Sequence, residues 1–274
     1  MPDTARGLGV LTARSARVRD ARALTVAKFR RARGELLAEG PQAAGAALAA
    51  GVVTALFVDA AAQERRVAEV VRAAAIGVPV HVVAPEGFAG LVSAQTPQGV
   101  VAVCRWQPAT WAQLIGQPGP GQLVLAHEMA DPGNAGAVIR VADAAGAQGV
   151  ALSERSVDPT NAKCVRASAG SLFHLPVVAA GGTPEAIAAL RAAGHRVLAA
   201  DVRLDAVDLF DAERRGLLDG RVTWVLGNEA HGLPDAVLEV VDHVVRIPIL
   251  GRAESLNLAT AAAVCLYAYA RAHR

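Results

Sequence analysis

Three short segments of the chain combine glycine with polar side chains where an apolar run gives way to a helical pattern. The first is Asp131-Pro132-Gly133-Asn134-Ala135-Gly136, in which two glycines flank an asparagine at a helix start. Free N–H groups at such a start favour an anion. Arg140 follows one to two turns later in an otherwise apolar helix, so its guanidinium needs a partner. Asp143, three residues on, supplies one by ordinary helical pairing. A substrate phosphate or ribose oxygen suits the planar fork of donors equally well. The second segment, Leu226-Gly227-Asn228-Glu229-Ala230-His231-Gly232, follows a clear strand and holds more polar groups than a connector needs. His231 by itself reads as a hydrogen-bonding surface residue. The third runs from Ile247 to Asn257. Ser255 reads there as the N-cap of the terminal helix. Asn257 is then a second polar group inside an apolar helix, which a cap does not explain.

The chemistry these segments offer is not that of a common nucleotide site. No GxxxxGK[ST] is present, and no GxGxxG stands between a strand and a helix, so neither a P-loop nor a dinucleotide-binding fingerprint is supported. Nothing has metal-ligand spacing. Cys104, Cys164 and Cys265 are far apart and odd in number. That argues against a disulfide framework and fits a reducing, cytoplasmic setting.

The elements around the three segments alternate strand and helix. From Leu123 onward, strands are read at Leu123–Leu125, Val150–Leu152, Val197–Ala200, Val222–Leu226 and Val244–Ile247. Helices are read between them, and a long one at Ser255–Arg271. Buried strands alternating with helices predict a parallel sheet covered on both faces. Such sheets bind ligands at the carboxyl ends of their strands, where the three segments fall. A smaller α/β module precedes this domain. It holds strands at Leu36–Ala38, Ala55–Val58, Val80–Val83 and Val100–Cys104, and helices at Pro41–Ala50 and Gln63–Ala75. The expected boundaries are 1–105 for the first domain, 106–121 for a proline- and glycine-rich linker, and 122–274 for the second.

Charge is unevenly spread. Residues 1–33 hold nine basic and two acidic groups, a local +7 against −5 in the remainder. Such a segment, with Arg30 and Arg31 at its end, suits contact with phosphates; a solvated, frayed helix is the plainer alternative. The most apolar stretch, Leu258–Ala270, is too short for a bilayer span of about 20 residues. No secretory signal is visible. The terminal helix is apolar all round, which implies deep packing or a subunit interface.

Together the three segments resemble the motifs of the SpoU (TrmH) family of RNA ribose 2′-O-methyltransferases. The matching text is PGNAGAVIRVADAAGA at 132–147, LGNEAHGL at 226–233 and IPILGRAESLNLATAAA at 247–263, with VRASAGSLFHLPV at 165–177 between them. Ala135 and Val141 depart from the leucine and threonine common there. The first domain is similar, more loosely, to the substrate-binding domain of the ribosomal-RNA branch. The resemblance implies a SPOUT-type trefoil knot in an α/β domain and S-adenosylmethionine as cofactor. The cofactor would be held at Gly227, Ile247 and Leu256 with Leu226 adjacent, and the chain would form a homodimer through the terminal helix.

What the resemblance implies for mechanism centres on Arg140. Arginine stays protonated at neutral pH because its pKa exceeds about 12. It is therefore expected to hold a neighbouring phosphate and stabilise developing alkoxide charge; some proposals for the family make it the base. Asn134, Ser255 and Asn257 are expected to orient the ribose and Arg140, and Glu229 to position its loop or the target nucleotide. Arg166 is a further phosphate-contact candidate, with a surface salt bridge as the alternative. The substrate expected is large-subunit ribosomal RNA, because a whole N-terminal domain is present. Transfer RNA is the alternative within the same chemistry, and a catalytically silent RNA-binding or assembly protein is the alternative outside it.

Overall fold

The computed structural model describes residues 9–203 and 205–273. Residues 1–8, with Arg6 of the basic segment, lie outside the described residues. The chain divides into two compact units. One comprises residues up to Gln107 together with Thr160–Phe173; the other comprises Pro108–Pro159 and the chain from His174 onward.

In the first unit, α1 (Ala16–Ala23) and α2 (Ala27–Arg33) precede β1 (Glu35–Glu39), α3 (Pro41–Ala49), β2 (Val53–Asp59), α4 (Val67–Ala75), β3 (Val80–Val83), α5 (Pro85–Ala89) and β4 (Val100–Arg105). The sheet order is β1-β4-β2-β3. β4 runs antiparallel to both β1 and β2, and β3 is parallel to β2. The basic lead-in is not a frayed helix. Val18, Ala21 and Leu24, spaced three apart on one helical face, are buried with Leu37, Phe57 and Phe88 in this unit's core. Arg14, Arg17, Arg19 and Arg22 occupy the exposed side. The helix expected over Gln63–Ala75 begins instead as a 3-10 helix at Ala60–Arg66. Asp59 caps that turn by accepting from the Ala61 N–H at 3.0 Å.

The second unit opens with α6 (Trp111–Ile115), β5 (Gly121–Ala126), α7 (Pro132–Ala144) and β6 (Gly149–Leu152). The next helix, α8 (Ala162–Ala167), lies in the segment that belongs to the first unit. The second unit resumes with β7 (Val177–Ala179), α9 (Thr183–Ala192), β8 (Arg196–Ala200), β9 (Val207–Asp208), α10 (Leu209–Arg214), β10 (Arg221–Leu226), α11 (Asp235–Leu238), β11 (His243–Arg246) and α12 (Leu258–Ala272). Its seven strands run in the order β7-β6-β5-β10-β8-β11-β9, and every neighbouring pair is parallel. β10 is flanked on both sides and covered on both faces, so Val222–Leu226 is buried throughout, and its one polar side chain, Thr223, is bonded to His195.

Two expectations for this region are corrected. Residues 106–121 are not a bare linker: Thr110 and Gln113 form a capping box that starts α6, and Leu114 is fully buried in the second unit's core. The terminal helix starts at Leu258 rather than Ser255. Its cap is Asn257, whose Oδ1 accepts from the Ala259 N–H at 3.0 Å. α12 packs against α7 and α10, burying Ala262, Cys265, Leu266 and Tyr269. Tyr267 remains 48% exposed, so a single chain buries one stripe of this helix rather than its whole circumference. Gln122 ties the layers together, its Nε2 donating to the carbonyls of Ala145 and Leu266 at 3.1 Å each.

Candidate active site

The carboxyl edge of the seven-stranded sheet is held in place by backbone bonds that continue past the strand ends. The His127 N–H donates to the Leu226 carbonyl at 2.8 Å, and the Asp201 N–H to the Val245 carbonyl at 3.1 Å. Above this edge lies a pocket of about 510 Å³. Gly227, Ile247, Ser255, Leu256 and Asn257 line it together with Asn134, Asn228, Glu229 and Gly232. All of these residues belong to the second unit.

The floor of the pocket is backbone. Asn228 and Gly232 pair through two N–H···O=C bonds of 2.9 Å, folding the 227–232 segment into a tight loop. Gly232 adopts φ +65°, which favours glycine. A Cβ placed on Gly227 would stand 2.6 Å from the Gly232 carbonyl carbon, so no larger residue fits without the loop shifting. The Asn228 side chain completes the fold of the loop. Its Nδ2 donates to the Glu128 carbonyl at 2.7 Å, and its Oδ1 accepts from the Ala230 N–H at 2.9 Å.

Three of the five predicted catalytic residues form one hydrogen-bonded chain. The Glu229 carboxylate accepts from the backbone N–H groups of Ala130 and Asp131, each at 3.3 Å, and from Asn134 Nδ2 at 3.1 Å. Asn134 Oδ1 in turn accepts from Asn257 Nδ2 at 3.2 Å. The start of α7 that presents Asn134 is itself capped, since Asp131 Oδ1 accepts from the Asn134 N–H at 2.8 Å, with Pro132 at the first helical position. Each motif thus contributes one member of the chain. Ser255 is exposed and lines the pocket without joining the chain.

Arg140 stands apart. It is exposed on α7 and does not line the pocket. The partner that helical spacing offered is taken elsewhere: Asp143 accepts from His174 Nδ1 at 2.7 Å. Among the described residues no carboxylate or carbonyl holds the Arg140 guanidinium. Of the predicted cofactor residues, Gly227, Ile247 and Leu256 line the pocket, whereas Leu226 is buried in β10 beneath it.

The SpoU rRNA methylase family matches residues 121–267, which include every residue of the pocket and of the chain described above. The chain belongs to the SpoU rRNA methylase family. An MRM3-like substrate binding domain matches residues 15–102. Among SpoU relatives, the 23S rRNA (guanosine(2553)-2′-O)-methyltransferase RlmP of Bacillus subtilis is 33% identical over 193 residues, 70% of this chain and 72% of that protein. The 23S rRNA (guanosine-2′-O-)-methyltransferase RlmB of Bordetella pertussis is 32% identical over 220 residues, 77% of this chain and 86% of that protein. The AdoMet-bound rRNA methyltransferase from Sinorhizobium meliloti superposes with a TM-score of 0.80 at 31% identity, covering 96% of this chain and 97% of that one.

Within this SpoU chain, the basic residues named from the sequence divide. Arg30 is corrected: it is only 6% exposed. Its Nε donates to Thr160 Oγ1 at 3.0 Å and its Nη1 to the carbonyls of Leu24 and Thr25 at 3.3 and 3.2 Å. A guanidinium so enclosed holds the first unit together and is not open to a phosphate. Arg166 is paired within the first unit, with a buried carboxylate in place of a surface one. Its Nη1 lies 3.3 Å from Glu39 Oε2 and also bonds Ser93 Oγ. Glu39 needs such partners, being buried, and it also accepts from the N–H groups of Ser93 and Ala94. Arg31 remains exposed on α2.

Sequence reasoning missed Asp201, Val202 and Ile249, which also line the pocket. Asp201 and Val202 stand after β8 in text without a motif, and Ile249 lies within the third motif but was not singled out there. The strand order that sets β8 between β10 and β11 was not legible from local pattern. Three buried histidines were also passed over. His127 bonds Thr183 Oγ1 at 2.8 Å and His195 bonds Thr223 Oγ1 at 3.1 Å. Burial lowers the pKa of both, and of His81.

Proposed function

We propose that this SpoU methyltransferase transfers a methyl group from S-adenosylmethionine to a ribose 2′-oxygen of large-subunit ribosomal RNA. The observation that carries the reading is the backbone-floored pocket of Gly227 and Gly232, walled by Ile247 and Leu256. Beside it stands the Glu229–Asn134–Asn257 chain. The pocket suits such a cofactor: its floor excludes a Cβ, its walls are apolar, and its only charged lining residues are carboxylates.

The cofactor, when bound, supplies a methyl group already made electrophilic by its sulfonium. What remains for the protein is to align the acceptor oxygen and stabilise the charge that develops on it. Asn134, Ser255 and Asn257 orient the ribose at the pocket's rim. Arg140, exposed and uncommitted among the described residues, holds a substrate phosphate and stabilises the forming alkoxide without giving up its own proton. Glu229 spends its carboxylate on three N–H donors, so it fixes the 227–232 loop against the start of α7 and does not act as a base.

The first unit binds the RNA, with the exposed basic side of α1 and α2, Arg31 included, meeting phosphates. That reading is supported by the match to a substrate binding domain. The two loops around the pocket belong to a trefoil knot, a reading supported by β10 lying between β5 and β8, both earlier in the chain. The chain works as a cytoplasmic homodimer through α12, whose exposed Tyr267 and half-buried Val264 leave an apolar face. Analytical ultracentrifugation checks the last point: a monomer mass at micromolar concentration rejects it.

Incubating the purified chain with labelled S-adenosylmethionine and separate ribosomal and transfer RNA pools tests the function. Label in a 2′-O-methylnucleoside of large-subunit ribosomal RNA is the expected outcome. Label confined to transfer RNA retains the chemistry and overturns the substrate. No label in either pool, with cofactor binding absent, favours a silent RNA-binding protein.

A further inference from the structure

The pocket wall holds one charged residue that the motifs do not include. Asp201 follows the last residue of β8, and its N–H is fixed to the Val245 carbonyl at 3.1 Å. The residues lining the pocket include two carboxylates, Asp201 and Glu229, and no lysine, arginine or histidine. The two acids differ in what they already hold. Glu229 already accepts from three N–H donors, using both oxygens. Asp201 uses one oxygen: Oδ1 accepts from the Arg203 N–H at 3.1 Å and lies 3.9 Å from Arg203 Nε. The far end of Arg203 is drawn to Asp235, away from Asp201.

The other oxygen, Oδ2, accepts no hydrogen bond among the described residues. It lies 3.8 Å from where a Cβ on the floor residue Gly232 would stand. The side chain is 15% exposed. A half-buried carboxylate gains from a cation placed against its open oxygen, and the residues lining the pocket include none.

We propose that Asp201 binds the positively charged end of the cofactor, its sulfonium or its α-ammonium, and thereby sets the pocket's preference for a cationic ligand. This rests on the reading of the pocket as the S-adenosylmethionine site. The two positive groups have different consequences. S-adenosylhomocysteine, the product, keeps the ammonium and lacks the sulfonium charge. A carboxylate against the sulfonium therefore favours substrate over product and aids exchange after each turnover; one against the ammonium holds both alike.

The test is isothermal titration of S-adenosylmethionine and S-adenosylhomocysteine into the full chain and its Asp201→Asn variant. Asparagine keeps an acceptor for the Arg203 N–H and removes only the charge. The expected result is a fall of roughly ten-fold in affinity for S-adenosylmethionine. A loss shared by S-adenosylhomocysteine assigns the ammonium, and a loss confined to S-adenosylmethionine assigns the sulfonium. Equal S-adenosylmethionine affinity in variant and parent overturns the proposal, while a parent chain that binds neither ligand refutes the cofactor reading beneath it. Should Asp201→Asn not fold, Asp201→Ser, which also keeps an acceptor and lacks the charge, is titrated in its place with the same outcomes.

Discussion

Arg140 is the residue whose role depends most on something outside the chain. Its helical neighbour Asp143 is engaged by His174, and its guanidinium is exposed. An arginine kept free of internal partners contributes little to stability, so replacing it should be nearly silent in a melt. In the reaction it stabilises developing charge, and removing one such donor costs on the order of 100-fold in rate or more. Arg140→Ala is therefore expected to keep cofactor affinity and thermal midpoint while losing methyl transfer by at least about 100-fold. Titration with S-adenosylmethionine and a single-turnover assay check both halves; near-normal transfer by the variant would remove Arg140 from the mechanism. Cys265 shows the opposite case. Burial pushes its thiol up to about 12, so it is a packing residue and not a nucleophile.

At the scale of elements, the site is a junction of helix starts and strand ends. Asn257 serves two elements at once: its Oδ1 caps α12 and its Nδ2 reaches Asn134 on α7. The two duties are separable by substitution. Asn257→Ala loses both. Loss of the cap costs about 1 kcal/mol, a drop in thermal midpoint of roughly 2–4 °C for a unit of this size, and the ribose-orienting chain is broken. Asn257→Ser restores an N-cap oxygen but supplies no amide donor at that reach. Calorimetry is expected to show stability recovered in the serine variant, while methyl transfer stays depressed in both. Full activity in Asn257→Ser would mean that the bond to Asn134 is incidental.

For the whole molecule, pH and salt report on different features. His81, His127 and His195 are held neutral by burial, their pKa values lowered in the folded state. In the unfolded chain they take up protons near pH 6.5, so below that pH the unfolded state binds more protons and folding is penalised. Stability is therefore expected to rise from about pH 5 to about pH 7, across the unfolded histidine value, and then level off. A urea midpoint flat over that range would refute the account. RNA binding probes the basic side of α1 and α2. Deleting residues 1–33 is not a clean test, because Val18, Ala21 and Leu24 belong to the first unit's core. Replacing the exposed Arg14, Arg19, Lys28 and Arg31 by glutamine leaves that core intact. The slope of log affinity against log salt is expected to fall by up to about 3, as measured by filter binding, and an unchanged slope places the phosphate contacts elsewhere.

The linear text was enough for the features that depend on neighbours in sequence. Apolar runs such as Leu123–Leu125 mark doubly covered strands, glycine and proline mark helix ends, and the spacing of Asn134, Glu229 and Asn257 in their motifs marks residues that turn out to share one hydrogen-bonded chain. Properties that depend on distant partners were decided by tertiary structure. Arg30 and Arg31 are adjacent and chemically identical, yet Thr160 encloses one of them and the other is exposed. Arg166 turns to Glu39, 127 residues away. Segment 106–121 reads as a linker until Leu114 is seen to fill a core whose other members lie far along the chain. Asp201 enters the pocket only because the strand order sets the end of β8 beside that of β10. Local pattern records the period of an element and the chemistry of a turn. Which surface a side chain meets is set by long-range packing, because burial is decided by the sum of contacts from the whole fold.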